Sequence, residues 1–353
     1  MTHPATRVAR PLAAMTLIAF ALSRPASADE INALVWCDHT DPAFLQPFTD
    51  ATGITVNVRD YEGTGTALSL IAQSQPGDWD VFVVDTTDVK RVVAQGLLAP
   101  LDPAAFPLAD VFPEVRLNDY HMVDGVTYAV PEKFGYNAIA FDSNKVTLQQ
   151  ARSIATLTDP AMAGQIAIYD YYLPIMSQLA IAMGKAPADL TEADLPALKT
   201  QLQAIRANAA LVGDVVTSQT ALATGQVGIL LGGGEYAVAG LQADQPNLDW
   251  VLPDVGGVRW QQAIGVMAGS TKKEAATKFV QYVLSPEGQA RLATSSCYWG
   301  MPANSKAALS EEQKKRLRWD EQPGFLAKSY PYYSPTEAMD KAMQDLWAEV
   351  IQN

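Results

Sequence analysis

The sequence predicts an α/β fold divided between two lobes, and three observations carry that expectation. Apolar runs of strand length alternate with stretches of helical spacing along most of the chain, the pattern of a layered and mainly parallel sheet. The chain has 353 residues, more than one hydrophobic core usually holds. One third of the way along, VDGVTYAVPEKFGYNAIAFD (Val123 to Asp142) interrupts the alternation with two short apolar runs split by Pro131, Glu132, Lys133 and Gly135.

At the N-terminus, Arg7 and Arg10 precede an apolar run from Pro11 to Leu22 and then Ala26, Ser27 and Ala28. That order predicts a secretory signal, residues 1–28, cleaved after Ala28. The apolar run is too short for a spanning helix, which needs roughly 20 residues. Ile31 to Trp36 then reads as a strand, and Asp41 with Pro42 as a helix cap and first position, with Gly53 as the stop. The strand ITVNV, a helix opening near Thr66, a strand from Trp79 to Val84 and a helix from Asp88 to Gln95 complete the first series.

The interrupted stretch follows and admits two readings. Asp124 and Gly125 suit the turn of a surface hairpin; alternatively YAVP closes the first lobe and NAIAF crosses into the second. The alternation then restarts with QIAIYD, a helix from Pro174 to Met183, helix over Asp189 to Ala207, and the strand VGILLGG. A third series pairs the strand WQQAIGVMAG with the amphipathic helix Lys272 to Leu284.

The formal charge is −13, and loss of Arg7, Arg10 and Arg24 with the signal makes the exported chain more acidic still. Such a surface argues against nucleic acid and anionic lipid as partners and is compatible with a cationic ligand. Cys37 and Cys297 are the cysteines, an even pair that an exported protein is expected to bridge where geometry permits. Beyond the signal the histidines are His39 and His121, and no nucleophile elbow, zinc-protease or phosphate-cradling motif occurs. An enzyme is therefore not expected, and no cofactor is nominated.

Five runs resemble, in order, the periplasmic solute-binding proteins of ABC importers, in particular the polyamine-binding (spermidine and putrescine) branch. They are VWCDHTDPAFLQPFTDATGITVNV, DWDVFVVDTTDVKRVVAQGLLAPLD, the stretch Val123 to Asp142, TLTDPAMAGQIAIYD and KKEAATKFVQYVLSPEGQARLA. The resemblance implies two α/β lobes joined by crossover strands with a ligand cleft between them. It places the first lobe at 29–138 and 263–305 and the second at 139–262 and 306–353. The interrupted stretch becomes the first hinge and Trp260 to Met267 the second. Cys37 and Cys297 then share one lobe, where a bridge leaves closure free. The implied partners are a small organic amine and a membrane permease, the protein itself acting in the periplasm as a monomer.

In polyamine binders rings flank the aliphatic chain and acids hold the ammonium groups. Trp36 matches a ligand-facing tryptophan, His39 falls where the family often has tyrosine, and Asp85 stands where it carries a small hydroxyl residue. Asp85 suits either a cationic nitrogen or the cap of the next helix. Asp170, Tyr171 and Tyr172 follow the QIAI strand; Trp260 sits at the second crossover, Tyr298 and Trp299 near a family aromatic, and Glu235 after a triple glycine. Arg259 suits a ligand carboxylate or the surface. Three positions depart from the pattern: Gln262 and Pro174 replace family acids, and Leu231 a tryptophan. A bulkier or singly charged amine, such as a quaternary ammonium or an amino-acid conjugate, then fits as well as a polyamine. The adjacent tyrosines of DYY and YPYY leave ferric-ion binding as the alternative.

Overall fold

The computed structural model describes residues 1–2 and 30–352. The expected export signal, residues 1–28, lies outside them apart from its first two residues. In chain order the strands are β1 (Glu30–Val35), β2 (Thr55–Asp60), β3 (Val81–Asp85), β4 (Met122–Val123), β5 (Val126–Thr127), β6 (Val130–Asn137) and β7 (Ile139–Asp142). They continue with β8 (Ile166–Tyr169), β9 (Ala209–Gly213), β10 (Ile229–Leu231), β11 (Leu248–Val251), β12 (Gly257–Val266), β13 (Met301–Pro302) and β14 (Ser329–Pro331).

A seven-stranded sheet runs β13-β6-β12-β3-β1-β2 with β14 paired to β12, and a five-stranded sheet runs β11-β7-β10-β8-β9. β1, β2 and β3 are parallel, as their helical connections require. The helix Pro42–Thr52 opens and closes where its sequence says. Asp41 accepts the Ala43 N–H at 2.9 Å, and Gly53 ends it at φ 73°, a left-handed conformation that glycine adopts without a steric penalty. β3 and β10 are almost wholly apolar and buried, which is how strands covered on both faces read.

The interrupted stretch holds a hairpin and, after it, a change of sheet. Asp124 and Gly125, at φ 50° and 79°, turn the small hairpin of β4 and β5. β6 then crosses the larger sheet, and after the single residue Ala138 the chain enters the smaller sheet as β7.

Other expectations need correcting. The chain re-enters the larger sheet at Gly257, before the expected 260–267, because Val258 and Arg259 already pair with Asn137 and Tyr136 of β6. The tail serves both sheets: β14 lies parallel to β12, whereas the helix Glu337–Ile351 packs on the helices Tyr172–Ala182 and Leu195–Asn208. Arg259 explains the first of these. It is buried rather than exposed or free for a ligand, and it donates to Ser329 Oγ and the Glu114 carbonyl, each at 2.7 Å. Pro174 is the third residue of its helix, not the first. First-turn N–H groups have no intrahelical acceptor, so proline is tolerated there.

Cys37 and Cys297 are bridged, with Cα atoms 6.0 Å apart, tying the end of β1 to the loop before β13. The bridge closes a loop of 260 residues. Replacing both cysteines by serine is expected to lower the unfolding free energy by about 2–5 kcal/mol, read as a lower urea midpoint than that of the oxidised parent.

Candidate ligand cleft

Parallel strands present their C-terminal ends to a cleft, and here β1, β2 and β3 end beside Trp36, Tyr61 and Asp85. The Trp36 indole N–H donates to the Tyr61 hydroxyl at 3.2 Å, with the rings 6.0 Å apart. The Tyr61 hydroxyl in turn donates to the Val83 carbonyl. Asp85 precedes the short turn Thr86–Asp88 but makes no capping bond. Among the described residues no hydrogen bond or ion pair reaches its carboxylate. Burial, with a smaller push from the Asp88 charge, raises its carboxyl to about 7.

The surroundings of Asp85 come from separate segments. Its charge acts on Tyr61, Tyr171 and Tyr332 and helps to hold their hydroxyls above the usual range, burial being the larger cause. Gln261 and Tyr332 line a narrow cavity with it. From there half-buried rings continue across both sheets. Tyr171 lies edge-on to Tyr169 at 6.0 Å and to Tyr332 at 6.1 Å. Trp260 lies edge-on to Tyr236 at 6.4 Å and to Tyr298 at 6.1 Å. Asn137 joins the two groups: its Oδ1 accepts from the Tyr332 hydroxyl at 2.6 Å, and its Nδ2 donates to the Gly232 carbonyl at 3.1 Å and the Tyr236 hydroxyl at 3.4 Å.

Beneath the rings, Asp85, Gln262 and Lys133 stand opposite one another on β3, β12 and β6, so their side chains share one face. Gln262 donates to the Tyr298 hydroxyl at 2.7 Å, while its Oε1 is buried without a partner. Trp260 lies opposite Gly135. A Cβ on Gly135 would fall 1.8 Å from Glu235 Oε1 and 2.2 Å from the Trp260 ring, so only glycine lets both groups lie on β6. The Glu235 carboxylate, fully buried, accepts the Tyr136 N–H at 3.2 Å, and burial raises its carboxyl to about 8.

Of the residues singled out in the sequence, the structure brings Trp36, Asp85, Tyr171, Trp260 and Gln262 to this region, with Glu235 behind Trp260. Four others are engaged elsewhere. His39 has no exposed surface and lies between Asp38 (2.8 Å) and Glu132 (3.1 Å). Burial alone would lower it, but those two carboxylates raise it to about 10, so both ring nitrogens donate. Asp170 accepts from the Trp347 indole at 2.9 Å, and the Tyr172 hydroxyl donates to Asp340, which turns both toward the C-terminal helix. Trp299 is covered by the Arg316 guanidinium at 5.4 Å. Sequence reasoning missed Tyr61, Asn137, Tyr236, Tyr332 and Lys133 as cleft residues. Lys133 left a trace, as a charge inside an apolar strand.

The raised Asp85 carboxyl has a consequence for stability. Unfolded, it titrates near 3.8; folded, near 7. Between those values the folded state holds the extra proton, so stability falls as pH rises and the loss is complete above the higher one. Asp85→Asn removes this term. Relative to the parent, the variant is expected to be about 1–3 kcal/mol more stable at pH 8 than at pH 4, measured by urea unfolding at both.

Comparison with known proteins agrees with this architecture. The family model for bacterial extracellular solute-binding proteins matches residues 43–320. The chain is 25% identical over 290 residues to spermidine/putrescine-binding periplasmic protein 1 of Haemophilus influenzae, covering 81% of this chain and 79% of that protein. It is 23% identical over 308 residues to the spermidine/putrescine-binding periplasmic protein of Escherichia coli, covering 86% and 87%. Among solved structures, the spermidine/putrescine ABC transporter substrate-binding protein PotD from Streptococcus pneumoniae matches with a TM-score of 0.78 at 18% identity, over 91% of this chain and 98% of that one. These relatives are binding proteins, not enzymes, and the fold is their two-lobed α/β fold. The chain belongs to the bacterial extracellular solute-binding proteins.

Proposed function

We propose that this protein is the periplasmic substrate-binding component of an ABC importer, and that it carries a cationic organic amine in the ring-lined cleft. The candidate ligands are a polyamine-like amine, a quaternary ammonium compound or an amino-acid conjugate. Acting as a monomer, it would close over the ligand and hand it to a membrane permease without a chemical step. The names of its relatives support the transport role. Among the described residues no helix is long and apolar enough to cross a membrane.

Asp85 carries the ligand class. Its carboxylate is half-buried among rings and, among the described residues, has no cation or cap, so an incoming ammonium would supply the charge that burial leaves unmatched. A hydrogen bond to a charged group contributes about 1.5–3 kcal/mol, and each ring face about 0.5–2 kcal/mol toward a cation. The two lobes, one built on each sheet, would move about the places where the chain changes sheets, at Ala138 and at 252–256. The ferric alternative has less support, because the Tyr172 hydroxyl is engaged by Asp340 and the Tyr332 hydroxyl by Asn137.

Calorimetry of the mature protein against amines and ferric citrate tests the proposal. An amine should bind and raise the melting temperature by mass action, and Asp85→Asn should weaken it about 10- to 100-fold. Equal affinity in the variant, or binding of ferric citrate alone, would overturn the assignment.

A further inference from the structure

Lys133 makes an unusual set of contacts for a residue in the middle of a sheet. It has no exposed surface. Its Nζ donates to Asp38 Oδ2 at 2.8 Å and to the Tyr298 carbonyl at 3.2 Å, and lies 4.1 Å from the centre of the Tyr298 ring. A carboxylate, a carbonyl and a ring face satisfy the three donors of an ammonium group and form a complete receptor for an alkylammonium head. That receptor is occupied by the protein's own side chain.

Its position relates it to the cleft. Lys133 is the last member of the row that begins at Asp85 and passes through Gln262, two strand spacings or roughly 10 Å across, a span suited to a linear amine with a charge at each end. Its stem follows the cleft rings: a Cβ on Gly300 would meet Lys133 Cε at 2.5 Å and the Trp260 ring at 3.0 Å. Between the two ends, Gln262 offers a neutral amide whose buried oxygen has no partner. The nearby acid Glu235 is turned to the Tyr136 N–H.

We propose that the Lys133 ammonium fills the place a second ligand ammonium would take, so that the cleft selects amines with one cationic head and discriminates against diamines. This rests on the amine-binding reading of the same cleft. It makes Lys133 a specificity-determining residue, acting by occupying a subsite rather than by touching the ligand's cationic end.

The test compares n-butylammonium with 1,4-diaminobutane, equal in chain length, by calorimetry on the mature parent and on Lys133→Ala. The parent should bind the monoamine at least tenfold more tightly. The variant should reverse the order, and ethylammonium should raise its melting temperature by more than it raises the parent's. A parent that prefers the diamine, or a folded variant with the parent's preference, overturns the proposal and leaves amine binding standing. If neither amine binds the parent, the amine reading fails and this one with it. The parent's ratio decides the matter even if the variant does not fold.

Discussion

Four charged side chains without exposed surface, Asp38, His39, Glu132 and Lys133, hold the end of β1 against the middle of β6, and the cleft takes its shape from that contact. Two anions and two cations make a neutral set. Asp38 accepts from both His39 and Lys133, and Glu132 accepts from His39. Any one of these ions alone would carry a desolvation penalty of several kcal/mol, and removing one partner typically costs ~3–5 kcal/mol, so the members are interdependent. The disulfide brackets the group, since Cys37 precedes Asp38 and Cys297 precedes Tyr298. Trp36 and Tyr298, each next to a bridged cysteine, are thereby fixed to one framework.

Nearer the cleft the balance is different. Glu132 still gains from its histidine, although one of its oxygens has no partner and burial pushes its carboxyl up. Asp85 gains nothing comparable. A carboxylate held among rings without a cation destabilises the empty protein at neutral pH, and a residue kept for packing alone would be better replaced by an amide or an apolar group. The cost is intelligible if a ligand cation removes it, which is why the missing partner of Asp85 says more about function than its neighbouring rings do. Single rings are common in cores; an unmatched half-buried acid is not.

How much of this could be read beforehand follows from the range of each interaction. Strand and helix alternation, the Asp41 cap, the Gly53 stop and the Asp124–Gly125 turn are local, and the chain states them within a few residues. Trp36 and Asp85 were legible because they end predicted strands whose ends must face one way. His39 was misplaced because its partner Glu132 lies 93 residues away, and nothing near His39 reveals it. For the same reason Glu132 and Lys133 looked like an interruption of β6, when they are as buried as the apolar residues around them. Tyr332 reaches Asn137 across 195 residues, through a tail whose division between the two sheets has no local signature. The re-entry at Gly257 was misread because β12 is longer than its apolar run, its first residues being held by Arg259.

The same geometry bears on how binding and closure are connected. Asn137 is the last residue before the chain changes sheets, and it bonds to Tyr332 after β14 and to Gly232 and Tyr236 after β10. The rings around Asp85 come from β2, from the end of β8 and from the tail. Separating the segments on either side of Ala138 would therefore disassemble the surroundings of Asp85 and expose its carboxylate to water, where it no longer needs a cation. A ligand that satisfies Asp85 gains most when those segments are together, and so favours the closed arrangement by the difference in its affinity for the two states. The empty closed form carries an unmatched charge that opposes closure. On the proposed amine-binding reading, one carboxylate at the end of β3 would supply both the attraction for an amine and the reason for the lobes to wait for it.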